Sequence, residues 1–415
     1  MNFPLFKQLE TIYTQNAPLH RHQKEAWSRF KTCPMQTRPP WKMPTEISPS
    51  SLPHQMPPIS YLPECKDSSI VFVNGMYVPH LSKCTSTKMI VLPLEEAWSD
   101  YGQMLHKCFS ESILLENHFL ALLNYALSSH GVFIYVPPQV HVTQPLHFLH
   151  IITEDQKNPF LSPQMILFLG RFAQLDTITT LLAPNHLHFW NANMLTAYID
   201  KEAIYSHLDM RHAPSPGLDM SSFRMHLKEK ACATWRSFHH GGTDLRYDVQ
   251  INLNGKQAQT ELTSCALIKE KNQGHLGATI NHRAEETTSR QLVKHLVDRQ
   301  GRAHFTGKIF VDRLAQKTEA YQLNHNLLLD KRGSAFSQPN LEILADDVKA
   351  SHGATMSKMK EELLFYAQTR GLSKQEAKRQ LIWAFCRELI EHISIPSLAK
   401  QACFAFKYAH EKVGF

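Results

Sequence analysis

None of this chain's eight cysteines stands in a C-x-x-C pair; they lie at 33, 65, 84, 108, 232, 265, 386 and 403. That spacing excludes the common zinc-ribbon and ferredoxin ligand sets and leaves free, buried thiols as the expectation. No run of about 18 apolar residues occurs, so no membrane-crossing helix is expected. The start, Met1-Asn-Phe-Pro-Leu-Phe-Lys7, has no apolar h-region and no small-residue cleavage site, which points to the cytoplasm. Charge of one sign is also scarce. The net +7, from 44 basic and 37 acidic residues, is spread over 415 positions with no Lys/Arg block, so no nucleic-acid tail is present. Nucleotide hydrolysis is excluded locally. A phosphate-cradling loop needs G-x-x-x-x-G-K-[ST], and the nearest approach, Gly307-Lys308, is followed by Ile309, which has no hydroxyl for magnesium. Neither a G-x-S-x-G elbow nor an H-E-x-x-H helix occurs.

What is present divides into three regions: 1–128, 129–350 and 351–415. In the first, Gln8 to Phe30 is helix-compatible. Prolines then crowd in at 34, 39, 40, 44, 49, 53, 57, 58 and 63, which predicts an irregular tether, either mobile or laid over a surface. Ile70-Val-Phe-Val-Asn-Gly-Met-Tyr-Val78 predicts a hairpin about Asn74-Gly75. Glu95 to Leu127 reads as helical, with Leu114, Leu115, Phe119, Leu120 and Leu123 at helical spacing.

The middle region changes character. Short strand-like runs follow one another at 132–136, 165–169, 187–190, 247–253, 303–311 and 320–329. Asparagine and histidine recur inside them. Stacked coils tolerate such residues because equivalent side chains satisfy one another from coil to coil, so the expectation is a β-solenoid rather than a sandwich or closed barrel. The last region is helical. Ser357 to Arg370 is expected as a helix closed by Gly371, and Ser373-Lys-Gln-Glu376 is a capping box. Behind it Ala377, Leu381, Ile382, Phe385, Leu389 and Ile393 form one apolar stripe, which Pro396 is expected to end. A final helix carries Leu398, Ala402, Phe406 and Ala409.

A long ordered series of short segments resembles one family. The pieces are Asn281-His282, Thr287-Thr-Ser-Arg-Gln-Leu292, Gly307-Lys-Ile-Phe-Val311, Ala315-Gln-Lys-Thr-Glu-Ala-Tyr-Gln-Leu-Asn324, Leu327-Leu-Leu329, Pro339-Asn-Leu-Glu-Ile-Leu-Ala-Asp-Asp-Val-Lys349, Ser351-His-Gly-Ala-Thr355, Leu364-Phe-Tyr366 and Arg370-Gly-Leu372. Weaker likeness runs through Val71–Gly75, Trp235–Phe238, Ala26–Phe30 and Arg38–Lys42. Together they resemble the SufB/SufD family of iron–sulfur cluster assembly components, and His352-Gly-Ala-Thr355 looks like its SufD branch. The resemblance implies a mainly β protein: a right-handed parallel β-helix core flanked by N-terminal and C-terminal helical regions. It implies a non-catalytic scaffold subunit working beside a SufB-like subunit and a SufC-like ABC-type ATPase. No stably bound cofactor is implied, only a transient iron–sulfur cluster or iron at the interface with the SufB-like partner. The isolated chain is expected to be able to form a homodimer through the same coil edge.

The resemblance also singles out residues. His352 is the candidate iron or cluster ligand at the partner interface. Family members commonly carry a cysteine two residues earlier, where this chain has Ala350, so no thiolate is offered there. If His352 coordinates, its other ring nitrogen is expected on a neighbouring acceptor, with Glu342, Asp346 and Asp347 nearby in sequence. Leu363, Leu364, Phe365 and Tyr366 form an apolar block wider than one buried face; with Arg370 they are the candidate partner-binding surface. Two rivals remain open: a SufB-like self-dimerising cluster scaffold, and a carbohydrate-active β-helix enzyme using Asp176, Asp200, Asp209 or Asp219.

Overall fold

The computed structural model describes residues 3–15, 20–33, 44–128, 130–212 and 216–408. The prolines at 34, 39 and 40, the segment 38–42 and Ala409 lie outside them. The core is a parallel β-solenoid of about eight turns with helices at both ends. Its strands alternate between two long sheets. One runs from Ile90–Pro93 through Gly131–Val136 and every second strand to Ser334–Ile343, and the other from Met76–Tyr77 and Ser68–Val73 to Val348–Lys358. Apart from the antiparallel first pairs, Ile90–Pro93 with Gly131–Val136 and Met76–Tyr77 with Ser68–Val73, pairing along both stacks is in register and parallel, for example Gln259↔Thr288↔Glu319 at one edge of neighbouring coils.

Each coil turns a corner on a residue in the left-handed region. Phe172, Glu202, Lys230, Gln257, Glu286 and Lys317 have φ between 53° and 62° and stand immediately before strands of the second sheet. The corners bond to one another: the amides of Glu202, Lys230, Gln257 and Glu286 donate to the carbonyls of Glu229, Lys256, Glu285 and Gln316. A non-glycine residue in that region costs roughly 1–2 kcal/mol, and the ladder of donors offsets it by satisfying every corner amide. Behind each corner a small residue fills the lumen: Ala173, Ala203, Ala231, Ala258, Thr287 and Thr318 are all buried.

The lumen of the first coils is apolar, with Ile134, Phe148, Leu167, Leu195, Phe223, Trp235 and Val249 in one cluster. Helices cover the outer faces. Helices α1 (Phe3–Gln15), α2 (Arg21–Thr32), α3 (Leu94–Leu115) and α4 (Phe119–Leu127) pack on the outside of the first sheet against Phe133, Ile166 and Met194. Helices α6 (Lys374–Ile390) and α7 (Pro396–Lys407) cover the second sheet, packing Ile382, Cys386, Leu389 and Phe406 on Phe238, Cys265 and Leu296.

The hairpin about Asn74-Gly75 is present, with Phe72 opposite Tyr77 and both turn residues at positive φ. The described part of the proline-rich segment lies on the surface: Ser48–Pro49 pairs with Pro159–Phe160, and Asn74 donates to the Ser51 carbonyl. Five boundaries differ from expectation. Gln8 to Phe30 holds two helices, and Glu95 to Leu127 breaks at Glu116–His118, where the Glu116 carboxylate accepts from the His118 amide. Of the expected 187–190 run only Trp190 is strand, opening the pair Trp190–Asn191. Helix α5 spans Glu361–Thr369 rather than starting at Ser357, because pairing with Thr318–Leu328 keeps the last strand extended to Lys358. Pro396 does not end α6, which stops at Ile390; it opens α7 from the first helical position, where its missing N–H costs nothing.

Candidate functional site at the open coil end

The solenoid ends without a covering coil. Ser334–Ile343 and Val348–Lys358 are each paired on one side only, so their outer backbone groups form two adjacent free edges. Register decides where His352 lies. It is paired with Gln322, and Gln322 with Gln291; both glutamines are buried on the inner face of the second sheet. His352 therefore belongs to the same lumen-facing row, but as its last and uncovered member, and it is exposed. No hydrogen bond or ion pair among the described residues holds its ring. It stands in a strand, not ahead of a helix.

The carboxylates near it in sequence are not its partners. Glu342 is paired with Lys308 at 2.6 Å on the outside of the other sheet, and the Asp347 backbone is tied to Gln316 and Lys317. Ala350 does join the end of the lumen, packing with Ile309, Val311, Ala315 and Ala320. The last coils carry polar side chains inward. Gln322 Nε2 donates to Gln291 Oε1 at 3.0 Å, Asn326 Nδ2 to Asn324 Oδ1 at 2.7 Å, and His295 Nδ1 lies 3.0 Å from Asn326 Oδ1. His282 is held between Thr287 and Ser289 at 2.8 and 2.9 Å.

Helix α5 follows directly. Of the expected apolar block only Leu364 is buried. Leu363, Phe365 and Tyr366 are 48%, 68% and 59% exposed, which is unusual for three large apolar residues within a run of four and marks an uncovered face. Arg370 lies over the Tyr366 ring at 5.3 Å, which stiffens that face.

The donor set has a limited chemistry. Among the described residues no three His, Cys, Asp or Glu side chains converge where a metal ion could sit. Cys65, Cys265 and Cys386 are buried; burial pushes the Cys65 thiol up to about 11 and also raises that of Cys386, so these two are not ready thiolates. At the open coil end the exposed imidazole of His352 offers a single position in a coordination sphere that other molecules must complete.

Two charged constellations escaped sequence reading. Inside the lumen, Asp209, Arg211, Asp219 and Tyr247 form a sealed network, with Arg211 Nη2 2.9 Å from Asp209 Oδ2. The i,i+2 spacing of Asp209 and Arg211 on one strand was its only local sign. Outside, Arg224 bridges Glu116 at 2.7 Å and Asp248, and both carboxylates line a polar groove that includes His118, Gln250 and Asn281. Burial pushes the Asp248 carboxyl up, but Arg224 and His118 bring it below its ordinary value. The four aspartates of the carbohydrate reading do not converge on one open site. Asp209 and Asp219 are shut in the lumen, and Asp200 sits at a turn beside Lys228 at 3.1 Å.

These features define a parallel β-solenoid protein with helices on both faces and an open terminal coil. Comparison with known families agrees. Residues 150–385 match the model described as SUF system FeS cluster assembly, SufBD core domain, and residues 60–148 match the SufBD protein N-terminal region. The chain belongs to the SufBD family of iron–sulfur cluster assembly proteins. It is 29% identical over 335 residues to the iron–sulfur cluster assembly protein SufD of Escherichia coli, covering 80% of this chain and 77% of that one. It is 24% identical over 349 residues to a SufBD family protein of Synechocystis sp., covering 81% and 77%. The likeness to SufB of Bacillus subtilis is 26% over 275 residues, covering 65% and 58%.

Proposed function

We propose that this chain is the SufD-type, non-catalytic scaffold subunit of a cytoplasmic iron–sulfur cluster assembly complex. Its open coil end pairs with a SufB-like subunit, and α5 and its exposed aromatic pair dock a SufC-like ATPase. The observation that carries the reading is the uncovered terminal coil, with His352 as the last residue of a lumen-facing row at two unpaired strand edges. A neutral imidazole there donates to iron of the transient cluster, while the thiolates come from the partner. The rigid in-register stack passes motion of the ATPase from one end of the subunit to the other. The region boundaries near 128 and 350 separate N-terminal helices, coil stack and docking helices in this reading.

The test is His352→Ala in the complex co-expressed with the SufB-like and SufC-like subunits. The side chain is exposed, so the complex should assemble at wild-type yield. Cluster retention should weaken about tenfold, the scale on which metal sites respond to losing one supporting group. Wild-type retention would remove the donor role.

A further inference from the structure

Gln322 is fully buried, yet only half of its amide is used. Its Nε2 donates to Gln291 Oε1 on the preceding coil at 3.0 Å. Its carbonyl oxygen Oε1 is buried and has no partner. An unsatisfied buried carbonyl costs roughly 1–3 kcal/mol, so its retention calls for a partner that arrives later. The opposite sheet makes room for this amide: a Cβ on Gly307 would lie 2.3 Å from Gln322 Nε2 and 2.7 Å from Oε1. With Nε2 committed to the coil before, Oε1 is left for the coil after. The side chain in register on that coil is His352. Neighbouring strands lie about 4.8 Å apart, a spacing across which a stacked amide oxygen and an imidazole N–H reach hydrogen-bond distance.

In the chain alone the two groups are in register but not bonded. We infer that, once the SufB-like subunit covers the open coil end, Gln322 becomes a positioning residue for His352: its Oε1 accepts the ring N–H that does not face the metal and so fixes the tautomer and plane of the imidazole. The inference rests on the donor reading of His352. The choice of acceptor fits a transient cargo. A carboxylate behind a ligating histidine raises its basicity and tightens the metal bond, whereas a neutral amide orients the ring with little added basicity. Gly307 is then the cradle that keeps the amide in line.

The full-length chain labelled with 15N-histidine, in complex with the unlabelled SufB-like subunit, tests this by long-range 1H–15N correlation at pH 7.5, with His352→Gln identifying the resonance. In the wild type His352 is expected as one dominant tautomer. In Gln322→Leu, which keeps volume but has no acceptor, the tautomer ratio should move at least about threefold toward the mixture of free imidazole. Gln322→Glu, nearly isosteric, should keep the tautomer and move its N–H proton downfield. Identical tautomer ratios in wild type and Gln322→Leu, or an unmoved N–H proton in Gln322→Glu, would overturn the inference. Cluster retention separates it from the reading beneath it. If His352→Ala retains clusters normally while Gln322→Leu shifts the tautomer, the donor role fails and the positioning contact stands. If His352→Ala loses clusters and Gln322→Leu changes neither tautomer nor retention, only the Gln322 assignment fails.

Discussion

Acidification should unfold this protein well above the range in which most carboxylates protonate. Burial depresses His22, His147, His207 and His275 to about 3, and His226, His239, His282 and His295 to about 4. In the unfolded chain each titrates near 6.5. Between those values the unfolded state binds a proton that the folded state refuses. The stability these neutral imidazoles contribute is therefore intact above pH 6.5 and lost as pH falls toward 4. At pH 6 each costs about 1 kcal/mol, and at pH 5 about 2 kcal/mol. Together the eight cost about 16 kcal/mol at pH 5, against a typical total stability of about 5–15 kcal/mol. Asp209 works the other way. Burial raises its carboxyl to about 6, so its share of stability grows as pH falls, but it returns only about 1 kcal/mol by pH 5. Urea unfolding followed by tryptophan fluorescence at pH 7.5, 6.5 and 5.5 should show the midpoint falling steeply, with the chain unfolded without denaturant near pH 5. Replacing His282 by Gln should flatten that slope by one histidine's share. A midpoint that stays constant from pH 7.5 to 5 would refute the reasoning, because it would require these rings to accept protons in place.

Two further outcomes follow from exposure and burial. Phe365→Ala with Tyr366→Ala removes two side chains that are mostly in water, so the thermal midpoint should barely move; if they anchor the ATPase, its affinity should drop at least about 30-fold by calorimetric titration. Unchanged affinity would show that another face docks it. Arg224→Met leaves Glu116 and Asp248 without their buried counter-charge and should destabilise the fold by about 3–5 kcal/mol, read from urea midpoints. A loss under about 1 kcal/mol would mean that water already neutralises the site.

Much of the solenoid was legible because its strands are short, numerous and rich in residues that stack on copies of themselves. Asn252 and Asn281 show this, bonded side chain to side chain at 2.8 Å across one coil step. The coil period was not legible. The corner that repeats every turn is a left-handed position, usually flagged by glycine, and here Phe172, Glu202, Lys230, Gln257, Glu286 and Lys317 occupy it. Only the small residue after each corner carries a trace, as in Glu202-Ala203, Lys230-Ala231 and Gln257-Ala258. His352 was legible as a residue but not as a place. Its position over Gln322 depends on pairing with a strand 30 residues away. Glu342 was misjudged for the same reason: nearness in sequence says little where consecutive strands lie on opposite sheets. The Arg224 trio joins a helix end to two coils, a long-range meeting that no spacing announces.

Amide hydrogen exchange on Val348–Lys358 and Ser334–Ile343, with and without the SufB-like subunit, tests the scaffold reading most directly. Their outward amides have no partner in the chain alone and should exchange fast; in the complex they should slow by at least about a hundredfold, while the inner strand Gln259–Ile268 stays unchanged. Equal exchange in the free and bound chain would mean that the open coil end meets solvent in both, and that pairing through it does not occur.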